Sequence, residues 1–373
     1  MEMVLKRGSI IAMTIVAILV VWAAVTILSN ASLDGFRFLT DPTGWNIGYS
    51  VLPSTLDDPY WWAILAATSN TIFAAIVSIV CATTLGFFLG LVRSSSNIVL
   101  STASRAYVDI VRNIPVIVQV MFWYAVFLYL PASRTAIEFL GMRISNRGFY
   151  FPSFTDNAVV FGLILAVVAM LWSGMVLFRH FNKVSTGRTT RGHWIAVGFF
   201  LAALAGILTL APQLPAALVP DMPKKVGLNF RGGMRIPIEL AALVAAVTFY
   251  RGAFIGEVFR GGFRAVTENH IDAAKSLGLR PWMTVVKVRI PLALITIIPP
   301  LSSELIVVVK VTSIGILVGF NDLYAVSSVT ATITGRAFEV LAVMVLIYLV
   351  INFSIAQAMN AFNRRIALPG YET

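Results

Sequence analysis

The chain has 373 residues, 58% of them hydrophobic and only 12% charged, with a mean hydropathy of +0.86; that is about half the charge expected of a soluble domain. Such a composition excludes a water-soluble globular enzyme and makes lipid the solvent for most of the surface. The formal charge of +11 does not point to nucleic acid, because the cations are scattered over short inter-helix loops rather than gathered into one basic domain.

A spanning helix needs roughly 20 mostly apolar residues. Eight such runs are present, near 9–28, 64–92, 110–130, 157–178, 193–212, 236–258, 292–319 and 337–359, so the expected fold is an all-α polytopic membrane protein with about eight transmembrane helices. The first run follows Lys6 and Arg7 and is longer than a signal-peptide core, so it reads as a retained anchor. Cys81, the single cysteine, lies inside the second run and can form no internal disulfide. Lys and Arg favour one set of loops by roughly two to one, which places both termini and residues 259–291 in the cytoplasm. The chain divides into an anchor and periplasmic segment (1–63), a first helix pair (64–130), a periplasmic loop with an inserted helical hairpin (131–235) and a last helix trio (236–373).

Between the sixth and seventh runs lies NHIDAAKSLGLRPWMTVVKVRIP, Asn269 to Pro291. Asn269 can cap a short helix, with Asp272 at its third position, where a carboxylate suits the cap and the helix dipole. Ala273 and Ala274 keep one face thin. Gly278 is placed to end the helix in a left-handed turn. Pro281 suits the start of a second helix running toward Arg289, and Pro291 should redirect the chain into the next span.

Asp272-Ala273-Ala274, Gly278 and Ile290-Pro291 together resemble the EAA signature of ABC importer permeases. YVDIVRNIPVIVQVMFWY (Tyr107–Tyr124), AFIGEVFRGGF (Ala253–Phe263) and PPLSSELIVVVKVTSI (Pro299–Ile314) resemble blocks of the polar amino-acid branch, and NRGFYFP with FRGGMRIP is most similar to the general L-amino-acid permeases. The resemblance implies a five-helix permease core in the bacterial inner membrane, with Asp272 to Pro291 as the dock for an ATPase. It also implies a homologous second permease subunit, a cytoplasmic ABC ATPase dimer carrying the ATP and Mg, and a periplasmic amino-acid-binding protein. No cofactor is expected on this chain, and no GxxxxGK[ST] loop is present. His270 and Asp272 depart from the glutamine and glutamate common in the family.

Ionisable residues within spans mark a pathway. Arg251 can snorkel to the cytoplasmic surface or pair with Glu257. Glu304 lies about 20 Å along a helix from Pro291 and could hold an α-ammonium or bridge to a partner permease; Lys310 could attract a carboxylate. Thr312 and Ser313 follow as further path candidates, Ser313 one turn from Lys310. Pro299-Pro300 should break the helix before Glu304. Arg112, Asn113 and Pro115 are expected to shape the cytoplasmic mouth, with Glu257 and Arg260 as structural or gating candidates, and Gln119 to meet a ligand or a neighbouring helix. The resemblance makes an ATP-driven importer of polar L-amino acids the first reading. An ion-gradient-driven secondary carrier is the alternative; such carriers often show paired broken helices, and only one proline-broken span is evident here.

Overall fold

The computed structural model describes residues 33–95, 97–154 and 193–366, together with Val167 and Met170. The expected anchor at 9–28, the run at 157–178 and the basic turn up to residue 192 lie outside the described residues. Helices follow in the order α1 (Tyr60–Arg93), α2 (Ile98–Asn113), α3 (Val116–Leu128), α4 (His193–Leu210) and a short α5 (Leu214–Ala217). Then come α6 (Ile238–Ala265), α7 (Glu268–Ser276), α8 (Pro281–Thr284), α9 (Ile290–Val311), α10 (Leu323–Thr334) and α11 (Ala337–Ile366). Among the described residues five helices are long and apolar enough to cross a membrane, or six if the bent α2–α3 pair is one span. They fall on six of the eight expected runs.

The all-α expectation needs correcting. Residues 131–154 and 220–236 form short strands: β1 (Ile137–Phe139), β2 (Met142–Ser145), β3 (Gly148–Phe151), β4 (Ser153–Phe154), β5 (Pro220–Asp221), β6 (Lys224–Val226), β7 (Asn229–Arg231) and β8 (Met234–Ile236). One four-stranded antiparallel sheet runs β1-β2-β3-β8, and β4-β5 and β6-β7 form separate pairs. The physical reason is local: aromatic and β-branched residues alternate between turn formers, and Gly232 and Gly233 adopt φ +80° and +71°, open to glycine at little cost. Two compact units result, one of residues up to 126 and from 239 onward, the other of residues 127–238.

Within the larger unit, α1 and α6 cross backbone to backbone. A Cβ on Gly86 would lie 2.5 Å from Ile255 Cγ2 and 3.0 Å from Gly256 N, and one on Gly90 would lie 3.0 Å from Gly256 O. Without a hydrophobic drive in lipid, such small-residue contacts are what let helices associate by packing. Buried Ala82, Ile255, Phe259, Phe263, Ala293 and Ile297 extend this contact to α9.

The bend of 103° between α2 and α3 follows from Pro115. Its ring pushes Ile114 into extended backbone, φ −90°, ψ 124°. The expected break at Pro291 is instead a π-helical stretch, Val285–Arg289, leading straight into α9. Ile290 N donates to Val285 O, five residues back, and the wider register makes room for the proline ring. Likewise α9 runs unbroken through Pro299 and Pro300. The expected break there is absent, because missing N–H groups weaken a helix without obliging its carbonyls to leave it.

Candidate functional site: a mid-span ion pair and the loop between α6 and α9

Arg251, midway along α6, is buried at 7% exposure and ion-paired with Glu304 near the middle of α9. Neither sequence expectation for Arg251 holds, since its partner is on another helix. Glu304 is therefore not a free carboxylate awaiting an ammonium. The Arg251 guanidinium lies 4.8 Å from the Phe254 ring centroid and that of Arg112 lies 4.6 Å from it. An open recess of about 360 Å³ is lined by Asp109, Arg112, Asn113 and Phe254. Cations over an aromatic face are stabilised by the ring quadrupole, so Phe254 holds two guanidiniums that would otherwise repel one another.

Gln119 meets a neighbouring helix, one of its two expected partners. Its Nε2 donates to Val111 O of α2 at 2.9 Å and to Ile114 O at 3.1 Å, supplying a donor where Pro115 has no N–H to offer Val111 O. Asn113 donates from Nδ2 to Asp109 O at 2.7 Å. Nearer the far end of α6, Glu257 pairs with Arg93 of α1 and, at 2.7 Å, with Arg260, riveting the crossing helices just beyond the glycine contact.

Lys310 is exposed, and Ser313 Oγ donates to its carbonyl at 2.8 Å. Thr312 is fully buried with its hydroxyl on Val309 O. Lys310 and Ser313 thus share a face at the end of α9, whereas Thr312 points into packing.

In the loop between α6 and α9, α7 begins at Glu268 with Thr267 at the cap position, not Asn269. Thr267 Oγ1 lies 2.7 Å from His270 Nδ1, which leaves that hydroxyl occupied locally and Asn269 inside the helix. Asp272 accepts from Lys275 at 2.9 Å, and that hydrogen bond holds the Lys275 ammonium above its usual range. Gly278 takes φ +71°; its N–H donates to Lys275 O, and Leu279 N–H donates to Ala274 O. Nothing lies within 4 Å of a Cβ built there, so backbone conformation rather than crowding calls for glycine. Ala274 is buried while Asp272, Ala273 and Pro291 are exposed and Ile290 is half-buried. Leu277 and Trp282, 82% and 61% exposed, offer apolar surface beside them.

Sequence reasoning passed over one polar cluster. Asn70 of α1 is fully buried; it accepts from Val51 N and donates to Tyr49 O and Asn321 O. Thr71 Oγ1 accepts from Leu323 N. Asp322, also fully buried, caps α10 through Ala325 N at 2.8 Å, and burial raises its carboxyl to about 6. Asn-Asp ahead of an apolar helix was a readable capping signal.

A family model described as binding-protein-dependent transport system inner membrane component matches residues 194–368. A putative amino-acid ABC transporter permease protein, YhdX, of Escherichia coli (strain K12) is 38% identical over 92% of this chain and 88% of its own length. The general L-amino acid transport system permease protein AapQ of Rhizobium johnstonii is 32% identical over 92% of this chain and 86% of its own. The glutamate/glutamine/aspartate/asparagine transport system permease protein BztB of Rhodobacter capsulatus is 28% identical over 96% and 94%.

Proposed function

This chain belongs to the amino-acid ABC importer permeases, and on that premise we propose that it forms half of a translocation path for polar L-amino acids. The mid-span Arg251–Glu304 pair carries the reading. An ion pair within a bilayer is costly, and a zwitterionic substrate presents the same two charges. Its ammonium can take Arg251's place at Glu304 while its carboxylate takes the guanidinium, so the site exchanges one paired arrangement for another and no charge is left bare. Polar side chains of the substrate then meet the recess at Arg112 and Asn113.

A second, homologous permease supplies the other half of the path. A periplasmic binding protein delivers the substrate, and a separate ATPase dimer, which carries ATP and Mg, docks on Asp272 to Pro291. The termini then lie in the cytoplasm. ATP-driven approach of the two ATPases draws the α7 segments together, and the glycine-packed α1–α6 crossing transmits the movement as a rigid body. Ala273 admits close approach, Gly278 sets the angle of the segment, and Leu277 and Trp282 supply the buried apolar contact.

The test is ATPase activity of the complex in liposomes, with purified amino-acid-binding proteins and a panel of L-amino acids. Stimulation by liganded binding protein, abolished by Gly278→Asp with membrane insertion intact, is expected. Uptake driven by an ion gradient without ATP would overturn the reading in favour of a secondary carrier.

A further inference from the structure

Among the described residues, Arg251 and Asp322 are the two buried ones that carry charge. Arg251 has Glu304. Asp322 is 0% exposed and belongs to none of the ion pairs formed by the described residues. Its Oδ1 caps α10 through Ala325 N–H, while Oδ2 is buried and accepts no hydrogen bond from them. An anionic oxygen sealed from water without a partner is costly.

The carboxylate sits deep in the bundle, in the break between the 3-10 turn Thr312–Val318 and α10. Asn70 Nδ2 donates to Asn321 O, and Leu323 N–H donates to Thr71 Oγ1. These bonds pin the break to α1 at a level about 16 Å beyond the start of that helix at Tyr60.

α11 brings two further oxygens to the same place. It follows α10 through Gly335 and Arg336 and packs against it, and Asp322 and Tyr348 stand equally many residues either side of Gly335. The Tyr348 hydroxyl therefore faces the Asp322 carboxylate, yet its buried oxygen closes no hydrogen bond of normal geometry. One turn further along α11, Asn352 Nδ2 donates to Tyr348 O at 2.8 Å, and Asn352 Oδ1 is buried with no donor. Three oxygens from the two arms of one hairpin thus lack the partners that buried polar groups ordinarily have.

Carboxylate, phenol and amide oxygens are hard donors, suited to alkali and alkaline-earth cations rather than to transition metals. One carboxylate balances one positive charge, whereas a divalent ion would leave an uncompensated charge in an apolar interior. Broken helices in secondary carriers ligate cations through unwound backbone, and Gly319, at φ +83°, opens a comparable stretch here.

We infer that Asp322, Tyr348 and Asn352 form a site for a monovalent alkali cation, which ties α11 to the junction of α1 and α10. The cation is a fixed part of the fold rather than a driving ion, so the inference goes beyond the importer reading and does not rest on it.

The experiment measures the denaturation midpoint of the detergent-solubilised complex at about pH 8, where carboxylates are ionised. Sodium, potassium and choline chloride are compared at about 0.1 M each, so that screening is equal. Sodium or potassium should raise the wild-type midpoint by about 2 °C or more over choline. Asp322→Asn, which keeps an acceptor for the cap and carries no charge, should abolish that difference. Tyr348→Phe should keep it but raise the half-saturating cation concentration about tenfold. Choline is also the medium in which ionisation of Asp322 should weaken the fold most, because nothing there replaces the cation. Equal wild-type midpoints in the three salts overturn the inference, as does a cation response that Asp322→Asn leaves intact. An unmoved half-saturation in Tyr348→Phe overturns it too, and decides the matter if Asp322→Asn fails to assemble.

Discussion

Arg251–Glu304 and Lys275–Asp272 are both single contacts between a cation and a carboxylate, yet they differ in what surrounds them. The first pair has side chains 8% and 20% exposed and joins two spanning helices; the second has 63% and 65% exposed and joins neighbours on one short helix. In the first, removing either partner strands a charge largely shielded from water. In the second, water replaces the lost partner at once. The difference teaches that position in the bilayer, not the bond itself, decides how much a pair governs.

The sharpest break of that comparison is Arg251→Met. Leaving Glu304 unpaired should cost about 3–5 kcal/mol, read as a fall in denaturation midpoint of the detergent-solubilised complex. The double variant Arg251→Met, Glu304→Leu should recover most of that loss, because no buried charge remains, but should not recover uptake. A double variant as unstable as the single would mean that shape, not charge, was lost.

Asp322 extends the comparison to a buried carboxylate without a cation. Its carboxyl, raised by burial to about 6 against an ordinary 3.8, favours the protonated folded form. Stability from this group is therefore fully present below pH about 4 and is lost as pH rises through about 6, a change of roughly 3 kcal/mol. Asp322→Asn keeps an acceptor for Ala325 N–H and cannot ionise. The variant-minus-wild-type stability difference should climb between pH 4 and 7; a flat difference would show that the carboxylate is solvated after all.

How much of this was legible in the sequence follows the same divide. Span positions are written in apolar run length, which needs no tertiary information, and Gly278 announced its left-handed turn because its role is local. The partner of Arg251 was not legible, since α6 and α9 meet only through packing and sequence spacing favoured Glu257 as the nearer acid. For Gln119 the sequence left a ligand or a neighbouring helix open, because the carbonyls at the α2–α3 break cannot be seen until the bend is formed. The strands were hidden for another reason. Segments of two to four residues carry too few alternations to register as a period, and β3 pairs with β8 across more than 80 residues of intervening chain. Proline-free continuity was over-required as well, since α9 tolerates Pro299 and Pro300.

Adjacent glycines on α6 sharpen the comparison without any charge. A Cβ on Gly262 would collide with the Ile297 side chain and lie 3.2 Å from Ala293 O, whereas one on Gly261 meets nothing within 4 Å. Gly262→Leu should cost about 1–3 kcal/mol by overpacking, with lower yield of assembled complex on size exclusion. Gly261→Leu should be neutral or slightly stabilising, because leucine suits a helix better than glycine does. Equal losses at both positions would indicate that glycine's flexibility, rather than its size, is what α6 requires.

The smallest effect belongs to Lys275. Its folded-state value lies above the usual lysine range, so its contribution is present below that range and fades only in strong alkali; near neutrality nothing titrates. An exposed pair at three-residue spacing is worth little against side-chain entropy and salt. Lys275→Gln should therefore leave the denaturation midpoint unmoved and uptake within about twofold of wild type, even though the residue lies in the segment proposed to receive the ATPase. A large loss of uptake at unchanged stability would mean that Lys275 touches the ATPase directly. The pair would then be exposed only while the complex is apart, and burial on docking would make it resemble Arg251–Glu304.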